Sequence, residues 1–209
     1  MTTRVRAQRI LMVTLAALLV AIVVVLATGR GGGATPAPVS HSRFEGTTMP
    51  AGLRAYDFSL RNVNGRRVDL AAQRGHVVVL TFIHSLCHDT CPFMVEQIKG
   101  ALNLLPHGGA GVPVIGVSAD PAEDTVAHRR AFLAQHEMTG RMAFLNGSMA
   151  QMRPIWHRYA VLPVSPKVDH STFVILIDKR GYERVGDPPD ALTPESLAHD
   201  IRVLEREPA

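Results

Sequence analysis

The chain is short of cysteine. Its 209 residues contain two, Cys87 and Cys91, so all disulfide or thiolate chemistry must fall on this one pair. No cysteine lies near the N-terminal apolar run, which excludes a lipoprotein anchor. Acidic residues are absent before Glu45, whereas Arg4, Arg6, Arg9 and Arg30 all fall in that stretch. These four arginines account for the whole formal charge of +4, and the rest of the chain is neutral. A basic stripe for nucleic acid is therefore absent, and the basic pI reflects topology. No internal repeat and no run of methionines is present.

Ile10 to Ala27 is an unbroken run of eighteen uncharged residues in which Thr14 is the only polar one. That length suffices to span a bilayer core, and the run has no polar face. Arg4, Arg6 and Arg9 precede it, so the positive-inside rule keeps residues 1–9 cytoplasmic and sends the remainder across. Residues 10–27 are read as an uncleaved signal anchor, because no clean small-residue cleavage site follows at once. The expected localisation is a single-pass membrane protein with its C-terminal domain on the extracytoplasmic side. Residues 28–53, rich in Gly, Pro, Ser and Thr, read as a flexible tether. Residues 54–209 then form one domain of about 150 residues, enough for a substantial core.

Within the domain, Ala55–Leu60 and Arg66–Leu70 flank Asn64-Gly65, a strong hairpin signal. His76–Ile83 contains a continuous apolar, β-branched run that suits a central strand buried on both faces. Pro92 suits a first helical turn, and Val95, Ile98, Leu102 and Leu105 recur at helical spacing until Pro106-His107-Gly108-Gly109 ends the pattern. Val112–Ser118, Ala143–Leu145, Thr172–Ile177 and Tyr182–Val185 read as further strands. Asp124–His136, with Ala127, Ala131 and Ala134 on one side, reads as a helix. So does Ser148–Tyr159, which Pro154 should kink or shorten. A final helix is expected from Pro194 to about Arg206, capped by Thr193. Strands alternating with helices imply an α/β fold with parallel pairs.

Cys87-His88-Asp89-Thr90-Cys91-Pro92 follows the central strand directly. Thiols four apart can sit on one face of a first helical turn, where they can form a disulfide or share one soft metal ion. A permanent disulfide across so short a loop would be a poor staple. Inert buried thiols fit badly with the polar neighbours His88, Asp89 and Thr90. A thiol–disulfide oxidoreductase remains open, since a cysteine near a helix N-terminus ionises readily. Thioredoxin-type enzymes, however, separate their cysteines by two residues, not three. Metal binding also remains open and requires a third ligand. Of the ten histidines, His41 lies in the tether, His107 in a Gly-rich turn, and His128, His136 and His199 on helices as surface residues. His157 suits a core edge. His170 differs, because it sits at the lip of the Thr172–Ile177 strand between Asp169 and Ser171, which could orient its imidazole. Met138 and Met142, and Met149 and Met152, have helical spacing that fits core or surface filling better than thioether copper sites.

Three ordered motifs resemble those of the Sco/SenC copper proteins, which help assemble the copper site of cytochrome c oxidase subunit II. The cysteine motif matches the family's C-P-D-x-C-P except at His88. Asp169-His170-Ser171, running on to Ile177-Asp178, matches its D-H-[ST] segment, and Ser118-Ala119-Asp120-Pro121-Ala122-Glu123-Asp124-Thr125 its S-x-D-P-x-x-D-T stretch. The resemblance spans about Tyr56 to Leu204. It implies a thioredoxin-like sandwich: a central mixed sheet flanked by helices, preceded by a β-hairpin and a single transmembrane helix. It also implies copper, as Cu(I) or Cu(II), held by Cys87, Cys91 and His170. The implied partners are cytochrome c oxidase subunit II or a similar cuproprotein and a copper donor protein. The implied role is a metallochaperone more than an enzyme, with thiol–disulfide reduction of exported clients through Cys87 and Cys91 as the alternative. His88 and Leu86 depart from the family pattern, and His88 adds a candidate ligand or nearby cation.

Overall fold

A computed structural model describes residues 42–162 and 172–209, together with Leu18. The chain divides into two units, residues 1–41 and 42–209, and the second carries the site. Apart from Leu18, the Ile10–Ala27 run lies outside the described residues; among those described, no helix is long and apolar enough to cross a membrane.

A five-stranded mixed sheet organises the second unit. Its strands are β3 (Val78–Ile83), β4 (Val114–Ser118), β5 (Ala143–Leu145), β6 (Val174–Ile177) and β7 (Glu183–Asp187), in the spatial order β5-β4-β3-β6-β7. β3 pairs in parallel with β4, and β4 with β5. On its other side β3 runs antiparallel to β6, and β6 to β7. Two shorter strands, β1 (Ser59–Arg61) and β2 (Arg67–Asp69), pair antiparallel as a separate sheet around the Asn64-Gly65 turn.

Alternation along β3 explains why its residues are apolar apart from Thr81, whose hydroxyl donates to Phe173 O at 3.0 Å. Val79 and Ile83 face one core, and Val78, Leu80 and Phe82 face the other. Side chains on successive strand residues point to opposite faces, so a strand covered on both sides needs apolar residues throughout. The first core is closed by helices α1 (Thr90–Leu104), α2 (Val126–Gln135) and α4 (Pro194–Glu205). The second is closed by α3 (Met149–Arg158) through Met152, Ile155 and Trp156.

Local signals place the helix ends. Thr125 accepts the His128 N–H at 3.1 Å to cap α2. Thr193 caps α4, with Pro194 in its first turn. α3 runs through Pro154 without being shortened, because that residue sits on its exposed face and water can take up the freed carbonyl. In α2 the packed face is Arg129, Phe132 and Leu133, while Ala127, Ala131 and Ala134 are exposed; large side chains gain more from burial than alanine does.

The expected tether is too long. Residues 42–53 belong to the domain, with Phe44 only 7% exposed. β7 is an edge strand, and a strap covers its open side: Met49 N–H donates to Arg184 O and Gly186 N–H to Thr47 O, both at 2.9 Å. Pairing an open edge in this way also protects it from foreign strands. Buried carboxylates bind the strap's backbone. Asp200 accepts the N–H groups of Glu45 (2.8 Å) and Gly46 (2.9 Å), and Asp187 accepts that of Thr47 (2.9 Å). A side chain at Gly46 would collide with the Asp187 carboxylate. Composition suggested a linker because these backbone partners lie far away in sequence.

Candidate functional site

The chain leaves β3 at Ile83, turns, and enters α1 at Thr90. In the turn, Cys87 N–H donates to His84 O at 3.1 Å. Asp89 is the N-cap, its carboxylate accepting the Thr90 N–H. That bond, made where the helix start favours negative charge, holds the exposed Asp89 carboxyl below its ordinary range.

The two cysteines therefore do not share a helical turn as the spacing suggested. Cys87 lies in the loop before α1 and is partly exposed; Cys91 lies inside the first turn of α1 and is fully buried. Neither is joined in a disulfide. Cys91 N–H donates to Cys87 Sγ at 3.4 Å, and His84 N–H to Cys91 Sγ at 3.5 Å. Cys87 Sγ also lies 3.4 Å from Asp89 Oδ1.

This arrangement separates the thiols chemically. Hydrogen bonding from the Cys91 thiol, aided by the Cys91 backbone N–H, brings Cys87 down to about 6 against the upward push of burial. Cys91, sharing that bond and shut off from water, is pushed far up, with the Asp124 carboxylate adding to the effect. Cys87 is thus the ready nucleophile and soft ligand.

His170, the expected third ligand, lies outside the described residues, as does Asp169. Two residues further on, Thr172 Oγ1 donates to Phe82 O at 2.8 Å and contacts Met94 Sδ at 3.2 Å. Thr172 is therefore held at the end of β3 that carries the thiols. Among the described residues no three His, Cys, Asp or Glu side chains are grouped closely enough to hold a metal. His88 is exposed in the loop. Met138, Met142 and Met152 are buried in the core and only Met149 is exposed, as gap filling requires.

Three residues sit otherwise than the sequence suggests. His136 is not a surface residue: it is 7% exposed, its ring centroid lies 4.6 Å from that of Phe132 in a tilted contact, and its Nδ1 lies 3.1 Å from Glu96 Oε1. His157, expected at a core edge, is exposed. Asp124, expected to open a helix, lies before α2 as a fully buried carboxylate below the cysteine loop. Its place in the S-x-D-P-x-x-D-T stretch was the available signal.

With the paired thiols at the end of a central strand, residues 47–205 match the SCO1/SenC family. The chain belongs to that family. A SCO2-like protein of Rickettsia typhi is 23% identical over 133 residues, covering 59% of this chain and 64% of the relative. The chain thus spans under two-thirds of that relative's length. ScoI of Bradyrhizobium japonicum, solved with copper bound, superposes with a TM-score of 0.62 at 24% identity, covering 72% of this chain and 99% of ScoI. BsSco, in which a disulfide switch was identified, superposes with a TM-score of 0.65 at 20% identity, covering 75% of this chain and 96% of BsSco. The architecture is accordingly the mixed α/β, thioredoxin-like Sco fold.

Proposed function

We propose that this chain is a membrane-anchored copper metallochaperone. Cys87, Cys91 and His170 hold the ion and pass it by ligand exchange to the copper site of cytochrome c oxidase subunit II or a similar cuproprotein. A separate donor protein supplies the copper. Residues 10–27 anchor the chain, and the C-terminal domain works on the extracytoplasmic side. The observation that carries this reading is the pair of thiols at the end of β3, not joined in a disulfide, one brought down to about 6 and the other buried behind it. Two sulfurs suit Cu(I), and an added imidazole extends the set to Cu(II). Thr172, fixed to the Phe82 carbonyl, supports His170 as the third ligand, because it holds the chain two residues away at this end of the sheet. The relatives add support: ScoI of Bradyrhizobium japonicum was solved with copper bound, and BsSco belongs to the Sco family of cytochrome c oxidase assembly proteins.

The test is competitive copper titration of the full chain in detergent, as wild type and as His170→Ala. One tightly held copper per chain is expected, weakened at least ~10-fold by the substitution and more for Cu(II) than for Cu(I). Unchanged affinity in both oxidation states would remove His170 from the site.

The asymmetry of the thiols favours a second reading, a thiol–disulfide reductase. The Cys87 thiolate would attack a client disulfide, expelling one client thiolate. Cys91 would then give up its proton and displace the second client thiolate from the mixed disulfide. The client gains the two electrons, and this chain is left with a Cys87–Cys91 disulfide. Failure of wild type to retain copper, with the dithiol still active, would favour this reading.

A further inference from the structure

The turn that presents the cysteines is gripped from across the sheet by Asp124. Its Oδ1 accepts both the backbone N–H of Ser85 (2.7 Å) and the Ser85 hydroxyl (2.5 Å), and lies 3.3 Å from His84 Nδ1. Its Oδ2 accepts the Ser118 hydroxyl (2.5 Å) at the end of β4. The residue is 0% exposed.

Asp124 is itself immobilised. Its N–H donates to Asp120 O at 2.9 Å. Its carbonyl accepts Arg129 Nε at 3.0 Å and Asn146 Nδ2 at 2.9 Å. Arg129 is pinned in turn by Nη1 donating to Phe144 O at 2.8 Å, and Trp156 Nε1 fixes the Ser118 carbonyl at 3.0 Å. The carboxylate is a rigid point to which the loop is tied.

What it ties bears on the sulfurs. Ser85, held twice, follows His84, whose N–H points at Cys91 Sγ, and His84 O accepts the Cys87 N–H. Holding Ser85 fixes the backbone of His84 on its C-terminal side. That residue thereby meets both cysteines, one through its N–H and one through its carbonyl. Burying a carboxyl group carries a large desolvation penalty. A turn that needed only a staple could use a neutral amide at lower cost. The carboxyl group offers two acceptor oxygens, where an amide offers one, and here they accept three donors at once.

We propose that Asp124 is the positioning residue of the two-thiol site. By locking Ser85 it aims the His84 N–H at Cys91 Sγ and holds Cys87 beside it, so that the reduced pair is kept ready to share one ion or to close. Asp124 touches neither cargo nor client. Only the copper arm of the test rests on the copper-transfer reading above.

The test equilibrates the full chain in detergent with reduced and oxidised glutathione. As the Cys87–Cys91 bond forms, each cysteine loses one proton and one electron, and oxidised glutathione is reduced to two thiols. An N–H···S hydrogen bond favours the reduced sulfur, which is the better acceptor. Asp124→Asn should therefore move the equilibrium toward the disulfide at least ~5-fold, on the scale of one hydrogen bond. Ser85→Ala should move it the same way by ~2–3-fold. Ser118→Ala loosens the carboxylate on the side away from the loop. It should lower thermal stability while moving the thiol equilibrium less than ~2-fold, a split that a merely structural carboxylate would not produce. In the copper arm, Asp124→Asn should weaken binding ~10-fold or more. If Asp124→Asn does not fold, Ser85→Ala decides. Thiol equilibria within twofold of wild type for Asp124→Asn and Ser85→Ala, or for Ser85→Ala alone in that case, would overturn the proposal. A wild type that takes up no copper would instead overturn the copper-transfer reading, leaving the thiol equilibrium to decide the role of Asp124.

Discussion

Cys91 donates its backbone N–H to the sulfur of Cys87 at 3.4 Å, so the first turn of α1 solvates the thiolate of a residue outside the helix. The pair is unequal by construction. One sulfur is accessible and disposed to ionise, and the other is buried and held as a thiol.

This inequality sets the pH dependence of modification. The thiolate is the reactive form, so alkylation of Cys87 should rise through a midpoint near pH 6, well below the usual thiol range. Cys91 should stay unmodified while the protein is folded. Mass spectrometry after brief iodoacetamide treatment across pH 5–9 reads both. A midpoint near pH 8.5 for Cys87, the free-cysteine value, would contradict the assignment.

Glu183 should make the protein less stable as pH rises. Burial raises its carboxyl to about 7, and the residue is 7% exposed. The folded state thus holds a proton that the unfolded state releases near the usual glutamate value. Stability from this group is full below about pH 4 and is lost progressively up to about pH 7. Glu183→Gln should raise stability at pH 8 by roughly 1–3 kcal/mol and flatten that slope. Urea unfolding at pH 4.5 and pH 8 measures it; equal pH slopes in both proteins would count against the prediction.

The strap of residues 42–49 should contribute to folding stability. Phe44 is buried beside Arg184, whose guanidinium lies 5.5 Å from the ring centroid. Phe44→Ala should cost about 3 kcal/mol, and a chain starting at Arg54 should lose at least that much. Thermal unfolding of the two shortened chains, beginning at Ser42 and at Arg54, makes the comparison. Equal melting temperatures would show that the strap is dispensable.

Topology can be tested by proteolysis. The Arg4, Arg6 and Arg9 cluster before the Ile10–Ala27 run motivates an outward-facing domain. Protease added to the outer face of intact membranes should degrade residues 42–209. Protection there, with digestion only after lysis, would sink the assignment.

Much of this protein is written locally in its chain. The apolar run before Cys87 suits a strand covered on both faces, and Thr193-Pro194 ahead of a helical pattern marks where α4 starts. The cysteine motif, read with the two later motifs, was enough to point to the family. Such signals depend on neighbours a few residues apart, so periodicity and capping chemistry reveal them. Tertiary structure decided the rest. Which cysteine is accessible depends on where α1 begins relative to the end of β3. Whether residues 42–53 are tether or strap depends on Asp200, whose bond to the Glu45 N–H spans 155 residues. Whether Asp124 starts a helix or grips the cysteine loop depends on Ser85, 39 residues away. A buried carboxylate and the backbone groups it binds are brought together only when the sheet assembles, and the sequence around each one looks like an ordinary turn.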